Sequence, residues 1–296
     1  MKKYKAIAGY TILLATLVYF IYFAKTHQQF WHELNQLSIL TVIILLVLYL
    51  IFLGSGMLIL KYTVEYCKKT IDYKDNFQLS AYSAIINFFG PLQSGPGFRA
   101  VYLKANYQIT IRNFFEASIV YYLFFAAISA ICIVIGSDYW RWTIVLAPLI
   151  FIGAYIIFRW QRAKVGLRGS SSSKGIVNRS VALKIGLATL IQITLVVIIY
   201  FTELQAVNHL ISIRQAIAYA GVANFALFVS ITPGAIGIRE AFLLFSQRLL
   251  HMPGKTIVAA SIIDRAVYAF FLGILFLFLA VFHINSKLTK KTELIN

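Results

Sequence analysis

Two adjacent pairs of opposite charge stand out in an otherwise apolar chain: Arg239-Glu240 and Asp264-Arg265. The second pair lies seven to eight residues into an apolar run that begins near Ile257, roughly 10 Å along a helix at ~1.5 Å per residue. Charge at such depth in a membrane is costly, so these side chains must face protein or a wet cavity and find partners. Glu240 and Asp264 are both candidate partners for Arg239. The four residues sum to zero charge, which leaves two readings open: an internal structural network, or a substrate or coupling site. In the second reading Asp264 or Glu240 is available to take a proton. A further arginine, Arg99, follows a similar glycine- and proline-containing stretch. The guanidinium fork suits phosphate oxygens, so the chemistry these residues suggest is recognition of an anionic headgroup.

The stretches ahead of Arg99 and Arg239 match each other. Ala81, Tyr82, Asn87, Phe88, Pro96 and Gly97 recur 137 residues later as Ala218, Tyr219, Asn224, Phe225, Pro233 and Gly234. Gln78 and Gln215 extend the match upstream, and the second arginine comes three residues later than strict register. Two Pro-Gly pairs at fixed spacing, in a chain with five prolines, point to a duplicated unit. Proline lacks the N–H and glycine relaxes the backbone, so Pro96-Gly97 and Pro233-Gly234 predict a break between two short helices, with Gly237 a third breaker in the second copy. A helix beginning near Ile238 presents unsatisfied N–H groups and a partial positive charge. Two such helix starts, each with an arginine, make a phosphate-binding pair. Asn87 and Asn224 are equivalent in the repeat and serve either as helix glue or as substrate contacts.

The elements that must hold these residues are membrane helices. The chain has 296 residues, 60% of them hydrophobic and 12% charged, with mean hydropathy +0.79. A soluble domain carries about 25% charge. Long apolar runs at Ala6 to Phe23, Ile39 to Leu60, Phe114 to Ile135, Trp142 to Phe158, Ile185 to Thr202 and Ile257 to Phe282 predict about six transmembrane helices. The run at Ala6 has no small-residue cleavage site after it and reads as a retained helix. The fold expected is an all-α integral membrane protein, a single membrane domain over 1–296. Its repeat halves are 1–135 and 136–296, with a basic cytoplasmic loop at 159–184.

The net charge of +17 sits in loops, which is the pattern of membrane topology and not of nucleic-acid binding. With the N-terminus inside and both repeat copies re-entrant, 20 of the 27 Lys and Arg are cytoplasmic. Both termini are then cytoplasmic, as suits a bacterial inner membrane. Three spans separate the copies, so the two hairpins enter from opposite faces as an inverted repeat, an arrangement typical of transporters. Binding of anionic headgroups by the 159–184 loop is a lesser reading of its charge.

Other candidates carry little. Cys67 and Cys132 match no metal spacing, and the five histidines have no metal-like partner three or four residues away. No nucleophile motif, nucleotide loop or zinc spacing is present, so no cofactor and no catalytic residue are expected. Glu116 and Glu203, near ends of spans, read as snorkelling or solvated. Tyr82 and Tyr219 read as interfacial or core.

Asn87 through Pro96-Gly97-x-Arg99, and Pro233-Gly234-x-x-Gly237-x-Arg239-Glu240 with Asp264-Arg265, resemble the lysylphosphatidylglycerol synthase transmembrane-region family, also called flippase-like. The family includes the membrane half of the multiple peptide resistance factor, which moves aminoacylated phosphatidylglycerol to the outer leaflet. The full synthase carries a soluble aminoacyl-transfer domain after its membrane part, whereas 14 residues follow Phe282 here. What the resemblance implies is a lipid-translocating membrane module, mapped onto Arg99, Arg239, Glu240 and Arg265, without an enzymatic half. Membrane lipids are the expected partners, with a partner enzyme or a second copy also compatible. The alternatives are a membrane enzyme acting on phospholipid or polyprenyl-phosphate lipids, and an accessory subunit of such an enzyme.

Overall fold

The computed structural model describes residues 37–90, 94–137, 179–208, 210–229, 235 and 237–292, with side chains to Val281. The expected spans at 6–23 and 142–158 lie outside the described residues, as does most of the 159–184 loop. All described elements are helices: α1 (Ile39–Tyr66), α2 (Tyr73–Phe89), α3 (Gly95–Tyr107), α4 (Ile111–Gly136), α5 (Arg179–Val207), α6 (Ile213–Val229), α7 (Ile238–Phe245), α8 (Gln247–Leu250) and α9 (Gly254–Thr292).

Four of them, α1, α4, α5 and α9 to Val281, have the length and apolar composition to cross a membrane. Each has 26 to 29 residues, about 40 Å at ~1.5 Å per residue, against a hydrocarbon core of about 30 Å. Their outer faces carry large exposed hydrophobics such as Leu40, Val47 and Leu50 on α1, Leu187 on α5, and Leu277 on α9. That is the pattern of a protein whose solvent on that face is lipid.

Polar caps start the helices where the apolar runs begin. Ser38 Oγ accepts from the Thr41 N–H at 3.1 Å, Asp72 from Lys74 N at 3.3 Å, and Thr110 Oγ1 from Asn113 N at 3.2 Å. Such caps satisfy amides that the helix leaves unbonded. Several helices outrun their apolar stretch. α1 continues past Leu60 to Tyr66, and α5 begins at Arg179, so Lys61, Arg179 and Lys184 are helical and not loop residues. Lys184 Nζ lies 2.8 Å from Glu65 Oε1, pairing the polar ends of α5 and α1.

The contacts between helices come in matched pairs. In the first half α2 and α3 pack on each other, as α6 and α7 do in the second. The set α1·α2, α1·α4 and α3·α4 recurs as α5·α6, α5·α9 and α7·α9, and α4·α6 is mirrored by α9·α2. The α4·α6 pair is brought close by small residues. A Cβ on Gly136 would collide with that of Ala218, and one on Gly221 would lie 2.8 Å from the Ser129 carbonyl oxygen. Membrane helices associate through such close backbone approach, since lipid offers no hydrophobic drive between them.

Each repeat copy folds as two successive helices. In the first, α2 ends at Phe89 and α3 begins at Gly95, so Pro96 and Gly97 lie in the first turn of α3. Proline is tolerated there because its missing N–H has no helical acceptor to lose. The expected break at Pro-Gly itself is therefore displaced upstream. In the second copy α6 ends at Val229 and α7 begins at Ile238. Pro233 and Gly234 lie outside the described residues.

Candidate functional site

The start of α7 fixes the first half of the site. Gly237 caps the helix at φ 82°, in the left-handed region that glycine adopts without strain. Its N–H donates to Glu240 Oε2 at 2.7 Å, tying the carboxylate to the helix start. Arg239, the residue before it, reaches into the bundle and is buried. The second half comes from α9, where Ser261, Asp264 and Arg265 share one face by their spacing of three and four. Asp264 lies ten residues beyond Gly254, ~15 Å along the helix.

The four charged residues singled out in the sequence meet. Arg239 Nη2 bonds to Asp264 Oδ2 and also donates to Ser261 Oγ at 3.2 Å; Nη1 donates to Tyr200 Oη at 3.2 Å. Arg265 donates from Nε to Glu240 Oε1 at 2.7 Å and from Nη2 to the Ala235 carbonyl at 3.2 Å. Ser261 Oγ donates to the same Glu240 oxygen at 2.7 Å. Arg239, Asp264 and Arg265 are buried. The pattern is two crossed ion pairs, Arg239 with Asp264 and Arg265 with Glu240, so each full charge is matched in place. This is what burial demands of charged groups.

A third carboxyl joins them. Tyr49 on α1 places its hydroxyl 2.9 Å from Asp264 Oδ1 and 2.9 Å from Glu203 Oε1. Glu203 is 0% exposed, and its other oxygen, Oε2, has no hydrogen-bond partner. The expectation that Glu203 is snorkelling or solvated is thus corrected. α5 continues to Val207, so a residue near the end of the apolar run is still inside the packed bundle. Glu116, by contrast, is exposed and pairs with Arg112 one turn away at 2.8 Å.

Arg99 on α3 is differently placed. Its Nε is buried without a hydrogen-bond partner. Its electrostatic neighbours are tyrosines: Tyr121 and Tyr122 on α4 and Tyr268 on α9. Among the described residues no carboxylate pairs with it. Tyr121 and Tyr268 lie near the middles of α4 and α9, so Arg99 is level with the central part of those two helices. On the neighbouring α2, Asn87 Oδ1 is buried and also lacks a partner. Tyr268 lies between the two regions, within electrostatic range of both Arg99 and Asp264, and its ring packs tilted against Tyr49 at 4.9 Å between centroids.

The repeat-related residues have therefore diverged in surroundings. Arg239 is neutralised internally, whereas Arg99 has no carboxylate partner among the described residues. Asn224 donates from Nδ2 to Ser129 Oγ at 3.3 Å on α4, a helix-to-helix bond, whereas Asn87 is left with an open acceptor. Tyr219 is core, packed on Tyr200 at 5.1 Å. Tyr82 is half-buried against Phe98. Sequence reasoning alone misses Tyr49, Tyr200, Ser261 and Tyr268 and places Glu203 outside the site. A legible signal exists for some: Tyr200 with Glu203, and Ser261 with Asp264, are polar residues three apart inside apolar runs. Among the described residues no cluster of His, Cys, Asp or Glu has metal-holding geometry.

No curated protein and no solved structure matches the chain. The model of one protein family does, over residues 6–275, and that family is described as the lysylphosphatidylglycerol synthase TM region. The match takes in both helix pairs of the repeat, the four charged residues of the crossed ion pairs, and Arg99. With nearly the whole sequence covered, the chain belongs to the lysylphosphatidylglycerol synthase transmembrane-region family.

Proposed function

We propose that this protein is a lipid translocator that holds an anionic, phosphate-bearing headgroup at mid-depth between its two broken helix pairs. The observation that carries the reading is Arg99: a cation at mid-span with a buried, unbonded Nε and no carboxylate partner among the described residues. An unpaired charge in such a place is expensive, and a ligand that brings one negative charge offsets that cost. Asn87 Oδ1, open on the adjacent helix, offers an acceptor for a headgroup hydroxyl or amine. Arg239, Glu240, Asp264 and Arg265 then act as the charged scaffold behind the site, with Asn224 as glue.

The matched contacts of α1–α4 and α5–α9 support a two-fold arrangement of repeated halves. In this reading the halves are inverted, the helix pairs are re-entrant, and rocking of one half against the other exposes the headgroup to each face in turn. Both termini are cytoplasmic and the setting is a bacterial inner membrane. No bond-breaking step is assigned, because Glu240 and Asp264 are each held by an arginine and no carboxylate neighbours Arg99 among the described residues.

Lipids retained by the purified protein test the proposal. Mass spectrometry of wild type should show enrichment of one phosphate-bearing lipid class, lost in Arg99→Ala. Folded Arg99→Ala retaining the wild-type lipid profile would overturn the headgroup site.

A further inference from the structure

Around Tyr49 the three acids Glu203, Asp264 and Glu240 meet two arginines, Arg239 and Arg265, so the local charge count, without Arg99, does not close if every acid is ionised. The Tyr49 hydroxyl has one hydrogen, and it stands 2.9 Å from two carboxyl oxygens, Glu203 Oε1 and Asp264 Oδ1. It can donate to one of them only. Asp264 is already matched by Arg239, and Glu240 by Arg265. Among the described residues Glu203 has no cation of its own; it is wholly buried and leaves Oε2 unbonded. An ionised carboxylate in that position is the one uncompensated negative charge of the cluster, which burial penalises heavily. A neutral acid is consistent with every distance: Glu203 donates to Tyr49 Oη, and Tyr49 donates to Asp264.

We infer that Glu203 is the proton-carrying acid of this site, and that its proton and the anion at Arg99 bind together. The coupling rests on the headgroup reading above. With Glu203 protonated, the three arginines Arg99, Arg239 and Arg265 face the two carboxylates Asp264 and Glu240. The site then has one positive charge in excess and takes one anionic headgroup to reach neutrality. With Glu203 ionised the site is already neutral, and an anion would leave it negative. Tyr268, within electrostatic range of both Arg99 and Asp264, lies between the two ends. The titratable groups around Glu203 among the described residues are Tyr49 from α1, Asp264 from α9, Arg239 from α7, Tyr219 from α6 and Tyr200 on its own helix α5. Arg239 is the single cation among them, and Asp264 already holds it. Loss of the proton runs from Glu203 Oε1 to Tyr49 Oη as the Tyr49 hydrogen passes to Asp264 Oδ1. This is a relay in which Tyr49 gains one proton and gives one, and Asp264 Oδ1 then gives its proton to solvent water and returns to the carboxylate that pairs with Arg239. Linkage requires reciprocity: the anion holds the proton on, and the proton raises anion affinity. Transport would then be symport of one proton with one headgroup charge.

Infrared spectroscopy of the full-length protein in nanodiscs reads this directly. At neutral pH in phosphatidylcholine nanodiscs, wild type should show the C=O band of a buried protonated carboxyl. Glu203→Gln should lack it, and Glu116→Gln should retain it. Tyr49→Phe, which removes the shared hydroxyl, should keep the band but move its frequency. In phosphatidylglycerol nanodiscs at high salt, the pH at which the band is lost should rise by about one pH unit, corresponding to about tenfold preference for the protonated form. Phosphatidylglycerol keeps a constant charge through this range, so the shift reports the protein. Absence of the band in wild type, or its persistence in Glu203→Gln, overturns the assignment of the proton. A band with no lipid-dependent shift overturns the coupling. A shift that survives in both Arg99→Gln and Arg99→Ala arises from the membrane surface and overturns the coupling through Arg99. In that case the headgroup site fails while the Glu203 proton stands.

Discussion

Replacing Asp264 by asparagine removes one charge while preserving shape. The amide side chain still offers an oxygen to the Tyr49 hydroxyl, so the contact at 2.9 Å survives. The Arg239 guanidinium loses its close carboxylate and keeps Tyr200 and Ser261, both neutral and each at 3.2 Å, with Glu240 Oε1, already held by Arg265, 4.0 Å from its Nε. Arg239 is 7% exposed, so solvent cannot replace the lost charge. Breaking a buried pair by removing one partner costs about 3–5 kcal/mol, most of it the penalty of an uncompensated charge. Asp264→Asn should therefore destabilise the protein by about that amount in SDS-titrated unfolding followed by circular dichroism. Adding Arg239→Met should restore part of it, because the stranded charge is gone, and the double mutant should be less damaged than the two single losses summed. A loss within about 0.5 kcal/mol for Asp264→Asn, the range of ordinary surface changes, would refute the view that Asp264 neutralises a buried arginine.

Two further outcomes follow from other parts of the fold. Gly221→Leu places a side chain against Ile133 and the Ser129 backbone, where even a Cβ would stand at 2.7–2.8 Å. Overpacking costs about 1–3 kcal/mol or more, so the same unfolding assay should show a loss of at least that size, while Gly97→Ala, in open space, should show little. Burial, with the Glu116 carboxylate nearby, pushes the Cys67 thiol up to about 11. At pH 7 its thiolate fraction is then roughly a hundredfold below that of an ordinary cysteine, so maleimide labelling should be slow and should rise steeply towards alkaline pH.

The helices and the charged cluster are legible in the sequence because both rest on local signals. Apolar runs long enough to cross a bilayer locate α1, α4, α5 and α9, and the neutral sum of Arg239, Glu240, Asp264 and Arg265 foretells mutual pairing. The repeat motif foretells two successive helix pairs. What is illegible depends on tertiary context. Pro96 reads as a breaker by type, yet its place in the first turn of α3 depends on where the preceding helix stops, at Phe89. Glu203 reads as a span-end residue, and only the approach of Tyr49 and Asp264 from distant helices shows it buried. The difference between Arg99 and Arg239 is likewise invisible to the repeat, because α9 supplies a carboxylate to one and a tyrosine to the other.

The central claim, that headgroups cross through the Arg99 site, is tested most directly in proteoliposomes containing fluorescent phosphatidylglycerol, bleached from outside with dithionite. The account predicts that wild type brings inner-leaflet probe to the outer face faster than protein-free liposomes do, and that folded Arg99→Ala does not. Bleaching confined to the outer leaflet with folded wild-type protein, across the anionic phospholipids tried, would contradict it.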